Sequence, residues 1–176
     1  AFGADLSWVS IEAGDRFAIG DVEIATTELN HPGGAIGYRI SNDSKVIVYA
    51  CDHEQGKAHS SDALLELANK ASVLVFDAQF TTEEYESKVG WGHSTPDNGL
   101  ELAERAGCQS LFLTHHEPNR SDLAVSRIEI ASKNRFESAC AAREGMIVDV
   151  ENPTCSLDPE WGALTESSDR STLPPH

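Results

Sequence analysis

The chain has 176 residues, 40% of them hydrophobic, which is enough for one domain with a sizeable core and gives no reason to divide it. Its formal charge of −16, with no cluster of Lys or Arg to offset it, disfavours nucleic acid and anionic membranes as partners. No apolar run is long enough to span a bilayer and the start carries no basic-then-apolar signal, so a cytoplasmic location is expected.

In chain order, residues 1–10 are weakly patterned. Residues 11–29 read as strands either side of a turn at Gly20-Asp21, because Val22, Ile24 and Thr26 alternate onto one face. His31-Pro32-Gly33-Gly34 breaks that pattern: proline has no ladder donor and paired glycines permit positive φ, so this is a loop carrying a histidine. A strand over 35–40, a turn of Ser, Asn and Asp over 41–44, and a strand over 46–50 form a hairpin that ends at Cys51-Asp52-His53-Glu54. Ser60-Ser61-Asp62 is an N-cap region for a helix to about Ala71, and an apolar strand over 73–76 follows.

A short helix is predicted over 81–88, then a loop through Gly90-Trp91-Gly92-His93. The next helix is capped by Thr95, has Pro96 at its first position and ends at Gly107. After a strand over 111–114, Ser121 caps a long helix predicted to reach Glu144 with Gly145 as terminator, and residues 146–150 make the last strand. Residues 1–150 thus form the domain. Residues 151–176 are rich in Pro, Ser, Asp and Thr and read as a polar C-terminal tail held down, if at all, by Trp161 and Leu164. Strands alternating with helices from residue 45 onward predict an α/β layer, and the earlier hairpins make its sheet mixed. The predicted core face is Val46, Val48, Val73, Val75, Leu111 and Leu113.

Three apolar strands end abruptly in polar groups: residues 45–54 (KVIVYACDHE), 72–77 (SVLVFD) and 110–116 (SLFLTHH). The C-terminal ends of strands are where α/β folds hold their chemistry. His31, Asp52, His93 and His115 all sit at such ends or in Gly-rich loops, and imidazoles with a carboxylate suit zinc, manganese or iron. Each alone has an ordinary explanation: a loop histidine at 31, an N-cap at Asp52, a turn cap at His115-His116, an indole-anchored loop at Gly90-Trp91-Gly92. Their combination points to a metal site. Cys51, Cys108, Cys140 and Cys155 form no C-x-x-C pair and read as buried free thiols.

The order and spacing of LNHPGGAIGYR, VYACDHE, VLVFDAQFTTEEY, GWGHST and LFLTHHEP resembles the C-terminal half of metallo-β-lactamase-fold hydrolases of the ribonuclease Z and cyclic-phosphodiesterase type, over roughly residues 20–150. The resemblance implies an α/β, αββα sandwich of which this chain is the C-terminal half. It implies that His31 binds one metal, Asp52 bridges two, His115 binds the second, and His93 assists at the scissile phosphate. His93 and Asp52 are then the catalytic pair, with two divalent cations as cofactors, zinc first and manganese or iron next. Asp77 is expected to orient His93 or a ligand, His116 and Glu117 to support the ligands or face solvent, while His53 and Glu54 stay open.

The family's His-x-His-x-Asp-His motif, which supplies the other ligands, does not occur in these residues. The expectation is the C-terminal portion of a longer hydrolase, in keeping with an Ala-Phe-Gly start and a single methionine at Met146; a second chain bearing the motif, or a site without metals, are the alternatives. A half-fold with an open sheet face predicts self-association or pairing with an N-terminal segment. The implied activity is metal-assisted hydrolysis of a small or cyclic phosphodiester as small-molecule substrate. Transfer RNA is disfavoured by the charge and by the short segment between Asp52 and Asp77. A thioester or lactone hydrolase on the same fold, and an inactive binding or regulatory module, are the alternative functions.

Overall fold

Period-two alternation in the first third of the chain becomes an antiparallel meander: β1 (Arg16–Ile19), β2 (Val22–Leu29), β3 (Ala35–Asn42) and β4 (Lys45–Ala50). The computed structural model describes residues 7–43, 45–56 and 58–157. Beyond β4, strands β5 (Val73–Asp77), β6 (Leu111–Thr114) and β7 (Ala139–Ala141) add in parallel, giving one sheet in the order β1-β2-β3-β4-β5-β6-β7. Parallel neighbours need crossovers, and α1 (Ala58–Ala68), α3 (Pro96–Ala106) and α4 (Asp122–Arg135) supply them, with the single turn α2 (Thr82–Tyr85) ahead of α3. The expected fold class stands: an α/β unit with a mixed sheet flanked by helices.

Local chemistry sets the helix ends. Thr81 and Glu84 close a capping box on α2, and Thr95 and Asn98 close one on α3, which starts at Pro96 and ends on Gly107 with a left-handed φ of 65°. Register then decides what is buried. Val48, Leu74, Leu111 and Ala139 align across the sheet, as do Ala50, Phe76, Leu113 and Ala141. These two rows face the helices, packing on Leu64, Leu67 and Ala68 of α1 and Leu100 and Ala103 of α3. Each large apolar side chain buried there contributes about 2 kcal/mol.

The predicted core face is corrected by the same register. Val73 and Val75 point to the opposite face, where Val73 joins Phe112 and Cys140, because successive strand residues alternate and the parallel strands are buried on both sides. On that second face Phe17, Ile24, Ile40 and Ile47 form a register row that is only half-buried.

The C-terminal third departs most from expectation. The helix predicted to reach Glu144 ends at Arg135, because Phe136 turns extended and residues 139–141 instead pair with β6 at the sheet edge, fully buried. Ala-Cys-Ala suits a helix by propensity, but a vacant parallel ladder beside β6 outweighs propensity. Residues 146–149 form a strand as expected, but outside the main sheet: β8 (Met146–Asp149) pairs with β9 (Thr154–Leu157), a strand inside the stretch read as a polar tail. Met146 and Val148 of this hairpin pack on Val73, Phe112 and Cys140. α1 ends at Ala68, short of Ala71, and α2 covers less than the predicted 81–88. Trp161 and Leu164 lie outside the described residues.

Candidate metal centre

Strand direction assembles the site. β4, β5 and β6 are parallel, so Asp52 just beyond β4, Asp77 at the end of β5 and His115 just beyond β6 emerge at one sheet edge. β2 runs in the same sense, being two antiparallel steps from β4, and delivers Asn30 and His31 to that edge. The loop after α2 brings His93. One donor atom each from Asp52, Asp77, His93 and His115 fall within 4.8 Å of one another.

Two of those four donors are already committed. Asp77, fully buried, takes the His93 ring through Nδ1 to Oδ2 at 2.8 Å and accepts backbone N–H groups from Asp52 at 3.1 Å, His53 at 3.3 Å and Gln79 at 3.1 Å. A buried carboxylate that accepts from this many donors holds its neighbours in place. Because Nδ1 of His93 donates to it, Nε2 is the ring nitrogen left for chemistry.

Asp52 and His115 are different. Both adopt left-handed backbone, with φ of 62° and 59°, a conformation that costs a residue with a Cβ about 1 kcal/mol. At these two strand ends the conformation brings a carboxylate and an imidazole toward each other. Asp52 Oδ1 lies 3.5 Å from His115 Nε2 and 3.9 Å from His93 Nδ1, and among the described residues its side chain has no other polar partner. The His115 ring stacks on His93 with centroids 4.8 Å apart.

His31, the other predicted ligand, is at the rim. Its ring meets His93 edge-on at 5.4 Å, and its Nδ1 accepts the Gly33 N–H at 3.2 Å, which places its proton on Nε2. It is therefore beside the cluster and not part of it. His53 and Glu54 are not donors to the centre. His53 is fully buried, accepts the Asn30 N–H at Nδ1 (3.2 Å) and faces Gln55 Oε1 through Nε2 (3.2 Å), and burial pushes its pKa down. Burial, then the charge of Arg120, also lowers His116, which stays out of the cluster. Cys51, next to Asp52, is no nucleophile, since burial raises its thiol to about 12. Tyr85 was not anticipated: it bonds Glu54 from 31 positions away, and no local pattern announces such a contact.

A cavity of about 490 Å³ opens beside the His31 loop, lined by Asn30, Pro32, Gln55, Tyr85, Val89 and Gly90. Neither this cavity nor a larger groove of about 600 Å³, lined by Arg16 and Arg39 among others, is lined by His31, Asp52, His93 or His115.

Residues 2–116, from the start of the chain through the last candidate ligand, match the family model described as a beta-lactamase superfamily domain. The chain belongs to the β-lactamase superfamily. Within it, the sequence is 32% identical over 97 residues to ribonuclease Z of Bacillus velezensis, covering 54% of this chain and 32% of that protein. The metallo-β-lactamase fold protein YhfI from Bacillus subtilis superposes with a TM-score of 0.63 at 20% identity, covering 77% of this chain and 52% of that one. Human tRNase Z, short form, superposes with a TM-score of 0.60 at 16% identity, covering 76% and 44%. The fold is thus that of metallo-β-lactamases, and the chain spans about a third of the length of the curated relative and about half that of the solved ones.

Proposed function

We propose that these residues form the Asp and His side of a metal-dependent hydrolase centre acting on a phosphodiester. The observation that carries this is the unshared carboxylate of Asp52 next to His115, with a carboxylate-bonded His93 stacked beside them. A carboxylate and imidazoles fit zinc, manganese or iron in type. They fall short in number for two closed cation sites, so the reading calls for further ligands beyond these residues. Asp52 and His115 would hold the cations, and His31 would join them only by giving up the bond that its Nδ1 accepts from the Gly33 N–H, so that Nε2 is free to ligate. Bound divalent cations supply an activated water and neutralise phosphate charge.

His93 moves a proton. With Nδ1 on Asp77, Nε2 is the ring nitrogen left to donate to the leaving oxygen, and the buried carboxylate stabilises positive charge on the ring during transfer. The glycines around it let backbone approach the centre without side-chain obstruction, as at Gly92, whose φ is 93°.

A small or cyclic phosphodiester is the substrate class proposed first; the cavity beside the His31 loop is not lined by the donor residues and does not set its size. The expectation of no nucleic acid, drawn from charge, is not favoured by a relative named ribonuclease Z, and RNA belongs among the candidates. A cytoplasmic location and a covering partner for the half-buried second sheet face, a second copy or a segment bearing further ligands, belong to the same proposal; no helix among the described residues is long and apolar enough to cross a membrane. The test is a panel of bis(p-nitrophenyl) phosphate, cyclic nucleotides, a short RNA, a thioester and a lactone, assayed with added zinc or manganese and with a supplied segment bearing the His-x-His-x-Asp-His motif. Metal-dependent turnover of a phosphodiester, lost in Asp52→Ala, is the expected result. Turnover of the thioester or lactone alone replaces the substrate class, and no metal binding at all removes the reading.

A further inference from the structure

Of the residues at the sheet edge, Glu54 is the one whose side chain does most without entering the donor cluster. Its carboxylate is buried and turned away from Asp52 and His115 toward the loop ahead of His93. There the Tyr85 hydroxyl and the Gly90 N–H each donate to Oε1 at 2.7 Å, and the Gly92 N–H donates to Oε2 at 2.9 Å. Burial, then this bond, raises Tyr85 to about 12, so the phenol remains a donor. The backbone of the same residue ties a second loop: Glu54 N–H donates to Asn30 O at 2.8 Å, and Asn30 Nδ2 donates to Glu54 O at 2.7 Å.

Asp52, His53 and Glu54 therefore serve the centre and two loops from consecutive positions. Asp52 faces the centre, His53 accepts from Asn30 next to His31, and Glu54 grips the turn that leads into His93. The grip is needed where it falls. Gly90 and Gly92 have φ of 88° and 93°, a glycine-rich turn that is entropically costly to order without external bonds. Gly92 also packs directly on His31 and Pro32, so any shift of the turn moves both histidines.

We propose that Glu54 is a positioning residue: its carboxylate clamps the Gly90–Gly92 turn and thereby sets His93 against Asp77 and beside Asp52. The inference rests on the role proposed above for His93. Two charge-assisted amide bonds and a phenol bond on one buried carboxylate are far stronger than a loop contact in water. Glutamine has the same shape but keeps one acceptor oxygen, and its amide group opposes an N–H that the second oxygen accepts.

The experiment is site-resolved amide hydrogen exchange and histidine side-chain ¹⁵N spectra of the metal-free chain, as wild type, Glu54→Gln and Tyr85→Phe. In Glu54→Gln, Gly90 and Gly92 exchange about tenfold faster or more and the His93 ring resonances move, while Val48, Val75 and Leu113 keep their rates. Tyr85→Phe leaves both amide bonds and gives a smaller acceleration confined to the same turn; it decides by that criterion if Glu54→Gln does not fold. Unchanged Gly90, Gly92 and His93 signals overturn the inference, and so does an acceleration spread evenly over β4, β5 and β6, which is what a general stability role produces. A wild-type chain that binds no zinc removes the proposed function and leaves these exchange rates as they are, so the two failures are separable.

Discussion

Asp77 Oδ2 and His93 Nδ1 are 2.8 Å apart, and the carboxylate has no exposure to solvent. The pair joins the end of a core strand to a glycine-rich loop, so a fold contact and a site contact are the same bond. That gives the first prediction.

Asp77→Asn retains the shape but turns an amide toward donors that the second oxygen accepted. We expect a loss of roughly 2–4 kcal/mol, seen as a lower urea midpoint at unchanged slope, together with altered His93 ring resonances. A change of less than about 0.5 kcal/mol would mean that the donors around Asp77 find water instead.

Asp52→Ala and His53→Ala should fail in opposite ways. Asp52 is strained and half-exposed, so its loss removes metal binding and leaves stability unchanged, and Asp52→Gly should raise stability by up to about 1 kcal/mol. His53 is buried with both ring nitrogens bonded, so His53→Ala costs about 3 kcal/mol while the folded fraction still binds metal. Calorimetric zinc titration and urea unfolding on the same samples separate the two. Equal metal loss in both variants sinks the assignment of Asp52.

Gly92→Ala tests the packing between the two histidine loops. A Cβ there would overlap the His31 ring and come within 2.6 Å of Pro32 Cδ, on a backbone whose φ of 93° already excludes side chains. The expected cost is at least about 2 kcal/mol, with movement of the His31 resonances, read by thermal unfolding and NMR.

The exposed pair of Glu84 and Arg120 is one contributor to acid sensitivity. The Arg120 guanidinium, at 2.6 Å, holds the Glu84 carboxyl below its ordinary pKa. A depressed folded pKa means that the stability is present above the unfolded value of about 4.3 and is lost as pH falls through the folded one. Glu84→Gln should therefore be less stable than wild type at neutral pH, with the gap closing in acid. A gap in urea midpoint that stays constant from pH 7 down to about 3 would show that the pair contributes no linkage.

Metal stoichiometry follows from the donor count. Asp52 and His115, with His31 one ring away, cannot close two cation sites, so the dialysed chain should retain less than one zinc or manganese per molecule by elemental analysis. Two tightly held metals would mean that donors outside this cluster complete the centre.

The sequence by itself determined the parts whose cause is local. Alternation set the meander, Thr95-Pro96 and Gly107 set the limits of α3, and apolar runs that stop at Asp or His marked the strand ends that carry chemistry. It also determined that imidazoles and a carboxylate would gather at one edge, since parallel strands end on the same side. Tertiary structure decided what depends on partners distant in the chain. Residues 139–141 became a strand because β6 offered an open ladder, and Val73 and Val75 faced away from the helices because pairing register, not composition, assigns a face. Beside Asp52, which was assigned to the centre, His53 and Glu54 were left open by the sequence. They became brackets because their donors, Asn30, Tyr85, Gly90 and Gly92, lie 23 to 38 positions away, and a buried polar group takes its role from whichever donors the fold places within hydrogen-bonding distance.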